Sequence, residues 1–317
     1  MTLHRCFTVP LLIGLQILAV AQNSPAQQGD DPSPVRTAPA GAVTGILTMS
    51  EPSNNDGGAD VPPIPAILGG AGNSLAFTSE MERSNYLRGG INVGAAYDDH
   101  VYEAASSGLL VCDWTELKAN SRGRVATFPV TADALYIVLD DGSRYRPQVS
   151  AALQQRLADF FGGFLPTSAI CDMAYMQTKN PVRAVTLPAG PEMATVAVAR
   201  EFNSKVEALR ADRTDLFFCV GKDWILSNLL GQRPHCAVNY GFYDPKAPYE
   251  SHSGMRMWQT RGTRHDPSHR DYSQICHLIG GAMVVNGVGV DMKTALSEPE
   301  YNELVSDEGV LRYTRQP

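Results

Sequence analysis

"DLFFCVGKDWILSNLLGQRPHCAVNYGFYD" runs from Asp215 to Asp244 and divides the chain into two kinds of text. Upstream of it, apolar residues recur at helical spacing. Val149, Leu153, Leu157 and Phe160 make one stripe, which stops at Gly162-Gly163. Thr167 is placed to cap a second helix carrying Ile170, Met173 and Ala174. Pro191 is placed to start a third, with Ala199, Phe202, Val206 and Leu209 on one face and a Glu201–Lys205 pair outside. From the quoted stretch onward the text turns to strands. Residues 215–231 read as a short strand entering a short helix, and 236–244 as a strand. "MRMWQ" (255–259) and "SQICHLIGG" (273–281) read as further strands. "AMVVNGVGVDM" (282–292) reads as a hairpin turning at Asn286-Gly287, and "SEPEYNELV" (297–305) as a last helix. Two earlier segments, 108–114 and 132–147, read as strands, the second turning at Asp140–Ser143. Central helices followed by later strands predict an α+β fold, a single mixed domain with a mostly antiparallel sheet.

The chain has 317 residues and a formal charge of -7, which disfavours nucleic acid as a partner. Its start reads as a targeting segment, residues 1–21. His4 and Arg5 precede the apolar run "VPLLIGLQILAV", and Ala19-Val20-Ala21 is a small-x-small cleavage site. That run is too short for a spanning helix, and no later stretch is long and apolar enough for one. The expected location is exported: periplasm, outer membrane or extracellular. Of six cysteines, Cys6 lies in the leader; the other five are an odd number, so at least one stays free or pairs between chains. Residues 22–78 are rich in Pro, Gly, Ser, Asn and Ala and read as a disordered linker. Residues 79–106 follow with period two: Leu87, Gly89, Ile91, Val93, Ala95 and Tyr97 alternate with small and polar residues. This segment reads as an isolated strand. Its "RSNYLRGG" and Tyr97-Asp98-Asp99 resemble the first strand of acidobacterial outer-membrane β-barrel proteins, over about residues 80–105. The globular domain is then expected over 107–317.

Chemistry concentrates in "TRHDPSHRDYSQ", Thr263–Gln274, which holds two of the chain's seven histidines. Asp266-Pro267-Ser268-His269 has the residues of a tight turn, which would bring His265 and His269 together. Two readings follow. His265, His269 and Asp271 could hold a metal, zinc being the ion such a set suits. Alternatively, one histidine is a general base and Asp271 fixes its tautomer. A third reading is a polar loop bonded to its own backbone. Ser273 is a candidate nucleophile without the usual nucleophile elbow. Lys222, where a strand should meet a helix, is a candidate anion contact, and Tyr240 a candidate donor. Trp224, Tyr240, Phe242, Tyr243 and Trp258 could form an aromatic binding wall or simply core.

Residues 145–317 resemble an uncharacterised group of exported bacterial proteins. The resemblance rests on Leu165-Pro166-Thr167, Gly221-Lys222-Asp223-Trp224, Tyr240-Gly241-Phe242, His265 and Asp271-Tyr272-Ser273. Phe242-Tyr243 stand where the group's pattern has a tryptophan followed by histidine or an aromatic. The resemblance implies where a site lies and names no substrate. The sequence thus supports two functions. One is an exported hydrolase acting on cell-envelope or extracellular polymer, with His265 and Asp271 at its centre and Lys222, Tyr240, His269 and Ser273 as helpers. The other is a non-catalytic envelope protein that binds a glycan, peptide or surface partner through an aromatic face.

Overall fold

The computed structural model describes residues 95–211, 215–218, 220–233 and 235–316. The expected leader, the linker and the 79–94 part of the strand-like segment lie outside the described residues. Its remainder is a correction. Ala95–Ser106 is a helix, α1. Tyr97, Val101, Ala104 and Ala105 recur at helical spacing and are all buried in the main core. Alanine, the best helix former, occurs at four positions of the segment. α1 is also pinned through Asp98, which accepts hydrogen bonds from Ser150 Oγ at 2.7 Å and Arg270 at 2.8 Å. A domain boundary at 107 would therefore cut through the core.

The fold is α+β. Strands β1 (Trp114–Ser121) and β2 (Arg124–Thr131) form a hairpin paired over its whole length. Its turn is Arg122-Gly123, both with positive φ. Of the expected strand at 108–114, Trp114 opens β1 and Val111 makes an isolated bridge to Tyr136. A small hairpin follows, β3 (Ile137–Val138) with β4 (Arg144–Tyr145), at the turn read from the sequence. Helix α2 (Ala151–Phe161) is capped by Ser150, whose Oγ accepts from Leu153 N at 3.0 Å. Leu153 and Leu157 on it are fully buried, each contributing about 2 kcal/mol by the area rule. β5 (Gly163–Phe164) leads to α3 (Ser168–Gln177), capped by Thr167 as expected.

Pro191 starts a 3-10 turn, Pro191–Ala194, rather than the third helix; α4 (Val196–Arg210) begins after Thr195, which caps it. Its buried face carries Ala199, Phe202 and Val206, while Leu209 is exposed. The Glu201–Lys205 pair forms at 2.9 Å.

The later chain builds two sheets. β6 (Lys222–Trp224), β7 (Ala237–Tyr243), β8 (Tyr249–Glu250) and β9 (Arg256–His265) form one, in the order β6-β7-β9-β8. The segment after β6 closes in a 3-10 turn, Asn228–Gly231, not the expected short helix. β10 (Ile279–Gly280), β11 (Ala282–Val285) and β12 (Val288–Asp291) join the first hairpin in a sheet ordered β12-β11-β2-β10-β5, with β1 on β2. Every named strand pairing is antiparallel. The β11–β12 turn is Asn286-Gly287, as read, with φ of 48° and 86°. The last helix is α5 (Met292–Ser297), capped by Asp291; the 297–305 segment, where a helix was expected, holds only a 3-10 turn, Asn302–Leu304. Pro299 falls just after α5, where the chain cannot continue the helix. Among the described residues no helix is long and apolar enough to cross a membrane.

Candidate functional site

The segment 266–275 threads from the end of β9 across the start of β6. Asp266–His269 is the expected turn: His269 N donates to Asp266 O at 3.1 Å, and Ser268 N to Asp266 Oδ1 at 2.8 Å. Pro267 O accepts from Ala152 N, the second residue of α2, at 3.0 Å. The turn brings His265 and His269 face to face, ring centroids 3.8 Å apart and 9° from parallel. The Trp224 ring meets both edge-on, at 6.3 and 6.4 Å. Both histidines are half-buried.

Beneath them the chain crosses Gly221-Lys222. Lys222 N donates to Ser273 O at 2.6 Å, and Ile275 N to Lys222 O at 3.1 Å. Only glycine fits at 221, because a Cβ there would lie 2.4 Å from Ser273 O and 2.8 Å from Ile275 Cγ1. This close approach seats Lys222 Nζ on Asp271 Oδ2 at 2.8 Å, both side chains buried. Asp271 Oδ1 accepts from Ser273 N at 2.8 Å and Ser273 Oγ at 2.6 Å. Burial alone would raise the Asp271 pKa; the Lys222 charge and the Ser273 hydrogen bonds outweigh it and hold the carboxyl below its ordinary value.

That pair sets the field around the imidazoles. His265 is pushed down to about 4, by burial first, then by His269 and Lys222, against the opposing pull of Asp271 and Asp266. His269 is lowered too, by burial first, with Asp271 pulling it up and Lys222 pushing it down. At neutral pH the site presents neutral imidazoles, able to accept a proton, beside a fixed Lys222–Asp271 pair.

Several expected roles are corrected. Among the described residues no group of three or more His, Cys, Asp and Glu side chains is placed to hold a metal. The set His265, His269 and Asp271 fails because the two rings stack instead of converging, while Asp271 is committed to Lys222 and Ser273. Ser273 is 1% exposed and gives its hydroxyl proton to Asp271, so it positions that carboxylate and is not presented as a nucleophile. Lys222 opens β6, which is followed by a 3-10 turn instead of the expected helix, and the anion it holds is Asp271. Tyr240 is held elsewhere: its hydroxyl donates to Asp172 Oδ1 at 2.9 Å, beside Tyr243, which donates to the same oxygen at 2.6 Å. Trp224, Tyr240, Phe242 and Tyr243 are all buried, and only Trp258 of the expected wall is half-buried. These aromatics are core rather than an exposed face.

Two polar features were not expected. His277 Nδ1 lies 3.0 Å from both oxygens of Asp223, fully buried, with its ring stacked on Phe218 at 3.9 Å. Asn239 is buried, and among the described residues neither of its amide atoms has a hydrogen-bond partner. "SQICHLIGG" shows His277 only as one polar residue in an apolar run. Tyr240 draws the eye in "NYG", and the neighbouring asparagine carries no signature of its own. No family model, curated protein or solved structure matches the chain.

Proposed function

We propose that the protein is an exported hydrolase acting on cell-envelope or extracellular polymer, with His265 as the general base. The observation that carries this reading is the half-buried His265–His269 stack, neutral at pH 7, set against a buried Lys222–Asp271 ion pair. A neutral imidazole accepts a proton from an attacking water, and general base catalysis of this kind contributes about 10²–10⁴-fold. His269, in ring contact, restrains the orientation of His265. Lys222 and Asp271 supply a fixed dipole below the rings that costs no rearrangement when charge moves. Ser273 holds Asp271 in place. The leader at residues 1–21 supports export.

The test is the rate of dye release from labelled bacterial sacculi by the purified full chain, followed from pH 3 to pH 9. The expected profile is level through neutrality and falls on the acid side with a midpoint near the His265 value of about 4. An acid limb centred at 6.5, the ordinary histidine value, would remove His265 from the role.

A further inference from the structure

Arg270 stands between His269 and Asp271 in the sequence and is itself buried. Its guanidinium donates to Asp98 Oδ2 on α1 at 2.8 Å and to the carbonyl of Ser268 at 3.2 Å. The same carboxyl oxygen accepts from Ser150 Oγ at 2.7 Å, and that Oγ caps α2 by accepting from Leu153 N. One residue before Ser268, Pro267 O accepts from Ala152 N, and Asp266 O accepts from His269 N. Three consecutive carbonyls of the histidine turn are thus held: by the turn itself, by the first turn of α2, and through Arg270 by α1.

A buried ion pair does little better for folding than apolar groups of the same shape, because both charges have left water. What it supplies is direction, through charge-assisted hydrogen bonds. Asp98 is 8% exposed and Arg270 5%, so solvent does little to screen the contact. His265 depends on that contact at one remove. Its ring is stacked on His269, 3.8 Å away, and His269 is held by the turn that Arg270 anchors. A bond spanning 172 positions therefore joins the site to the first described helix.

We propose that Asp98 is a positioning residue for the site: through Arg270 it clamps the Asp266–His269 turn against α1 and α2 and so keeps His265 and His269 stacked. This rests on the reading of His265 as the general base and adds how that base is held. The chief charges acting on His265 are His269, Lys222, Asp271 and Asp266. Removing the negative charge of Asp98 can by itself only push a histidine lower. A loosened turn does the reverse: the rings part and hydrate, and His265 moves up toward its ordinary 6.5. Loss of charge and loss of position thus have opposite signs.

The experiment is an NMR pH titration of the imidazole signals of the full chain, with His265 assigned by its loss in His265→Ala. In wild type His265 should titrate near 4. Asp98→Ala should raise that midpoint by at least about one pH unit. It should also lower the melting temperature, because Arg270 is left buried and unpaired. Two further variants separate position from stability. Asp98→Leu with Arg270→Met leaves neither charge buried, so it should recover most of the melting temperature and keep the raised midpoint. Val101→Ala, on the same helix and in the core, should lower the melting temperature and leave His265 near 4. A midpoint no higher than wild type in whichever Asp98 variant folds, or one that rises as far in Val101→Ala, would overturn the assignment. The titration reads the rings and not hydrolysis. A raised midpoint in the Asp98 variants would stand even if labelled sacculi proved inert, so the two readings fail separately.

Discussion

His265 and His269 lie face to face at 3.8 Å, held so by a four-residue turn whose aspartate, Asp266, bonds back to Ser268 and His269. Two rings at that distance cannot both charge without strong repulsion, and Lys222 adds a third positive neighbour. The unfolded chain protonates the same histidines at their ordinary value of 6.5, whereas folded His265 waits until about 4. The sign follows. Above pH 6.5 neither state binds the proton and the contribution to stability is full. As pH falls from 6.5 towards 4 the unfolded state takes up protons first and stability drops; below about 4 this group costs nothing further. Denaturant midpoints measured from pH 8 to pH 4 should fall on the acid side, and His265→Ala should flatten that fall. An unchanged slope in the variant would show that the histidine titrates normally.

The Lys222–Asp271 pair is buried, and removing one member leaves the other charged and unpaired. Asp271→Ala should cost about 3–5 kcal/mol in urea unfolding. The double variant Lys222→Met with Asp271→Leu should recover most of that loss, because neither charge remains to be compensated. A double variant as unstable as the single one would mean that the pair is not the source.

Gly221→Ala should be far more damaging than an ordinary glycine replacement, since its Cβ would collide with Ser273 O at 2.4 Å. The expected loss is about 1–3 kcal/mol, with the 271–275 segment displaced from Lys222. Near-wild-type stability together with intact tryptophan fluorescence would contradict the close approach on which the site depends.

Removing residues 1–106 should also destabilise the protein. α1 puts Tyr97 and Val101 into the core and Asp98 against Arg270, so its loss should cost about 3–6 kcal/mol and lower the melting temperature accordingly. A 107–317 fragment that unfolds cooperatively at the full chain's temperature would contradict this packing.

The sequence shows the helices where a stripe and a cap coincide. Thr167 precedes such a stripe, and α3 begins there; α2 follows the Val149–Phe160 stripe, its Ser150 cap being shown by the structure. Asn286-Gly287 identifies its hairpin because both residues tolerate positive φ. The β1–β2 hairpin is harder to see, since its turn uses Arg122 at a φ of 46°, a conformation that propensity assigns to glycine or asparagine. α1 is masked by the period-two pattern that runs into it, and only tertiary contacts show that Tyr97 and Val101 belong to a helix face. At the site, the turn chemistry of Asp266-Pro267-Ser268 foretells the meeting of the two histidines. The Lys222–Asp271 contact spans 49 positions and is a product of packing that no local pattern encodes. The same holds for Tyr240, whose partner Asp172 lies 68 positions away on α3.

The most direct test of His265 as the base is its replacement by alanine in the full chain. Initial rates of dye release from labelled sacculi at pH 7 are compared for wild type and His265→Ala, alongside their melting temperatures. The ring is half-buried, stacked on His269 and touching the edge of the core residue Trp224. The expected rate is at least about 100-fold lower, with a melting temperature within a few degrees of wild type. A variant that releases dye at the wild-type rate, or one that loses activity only in step with a collapsed melting temperature, would contradict it.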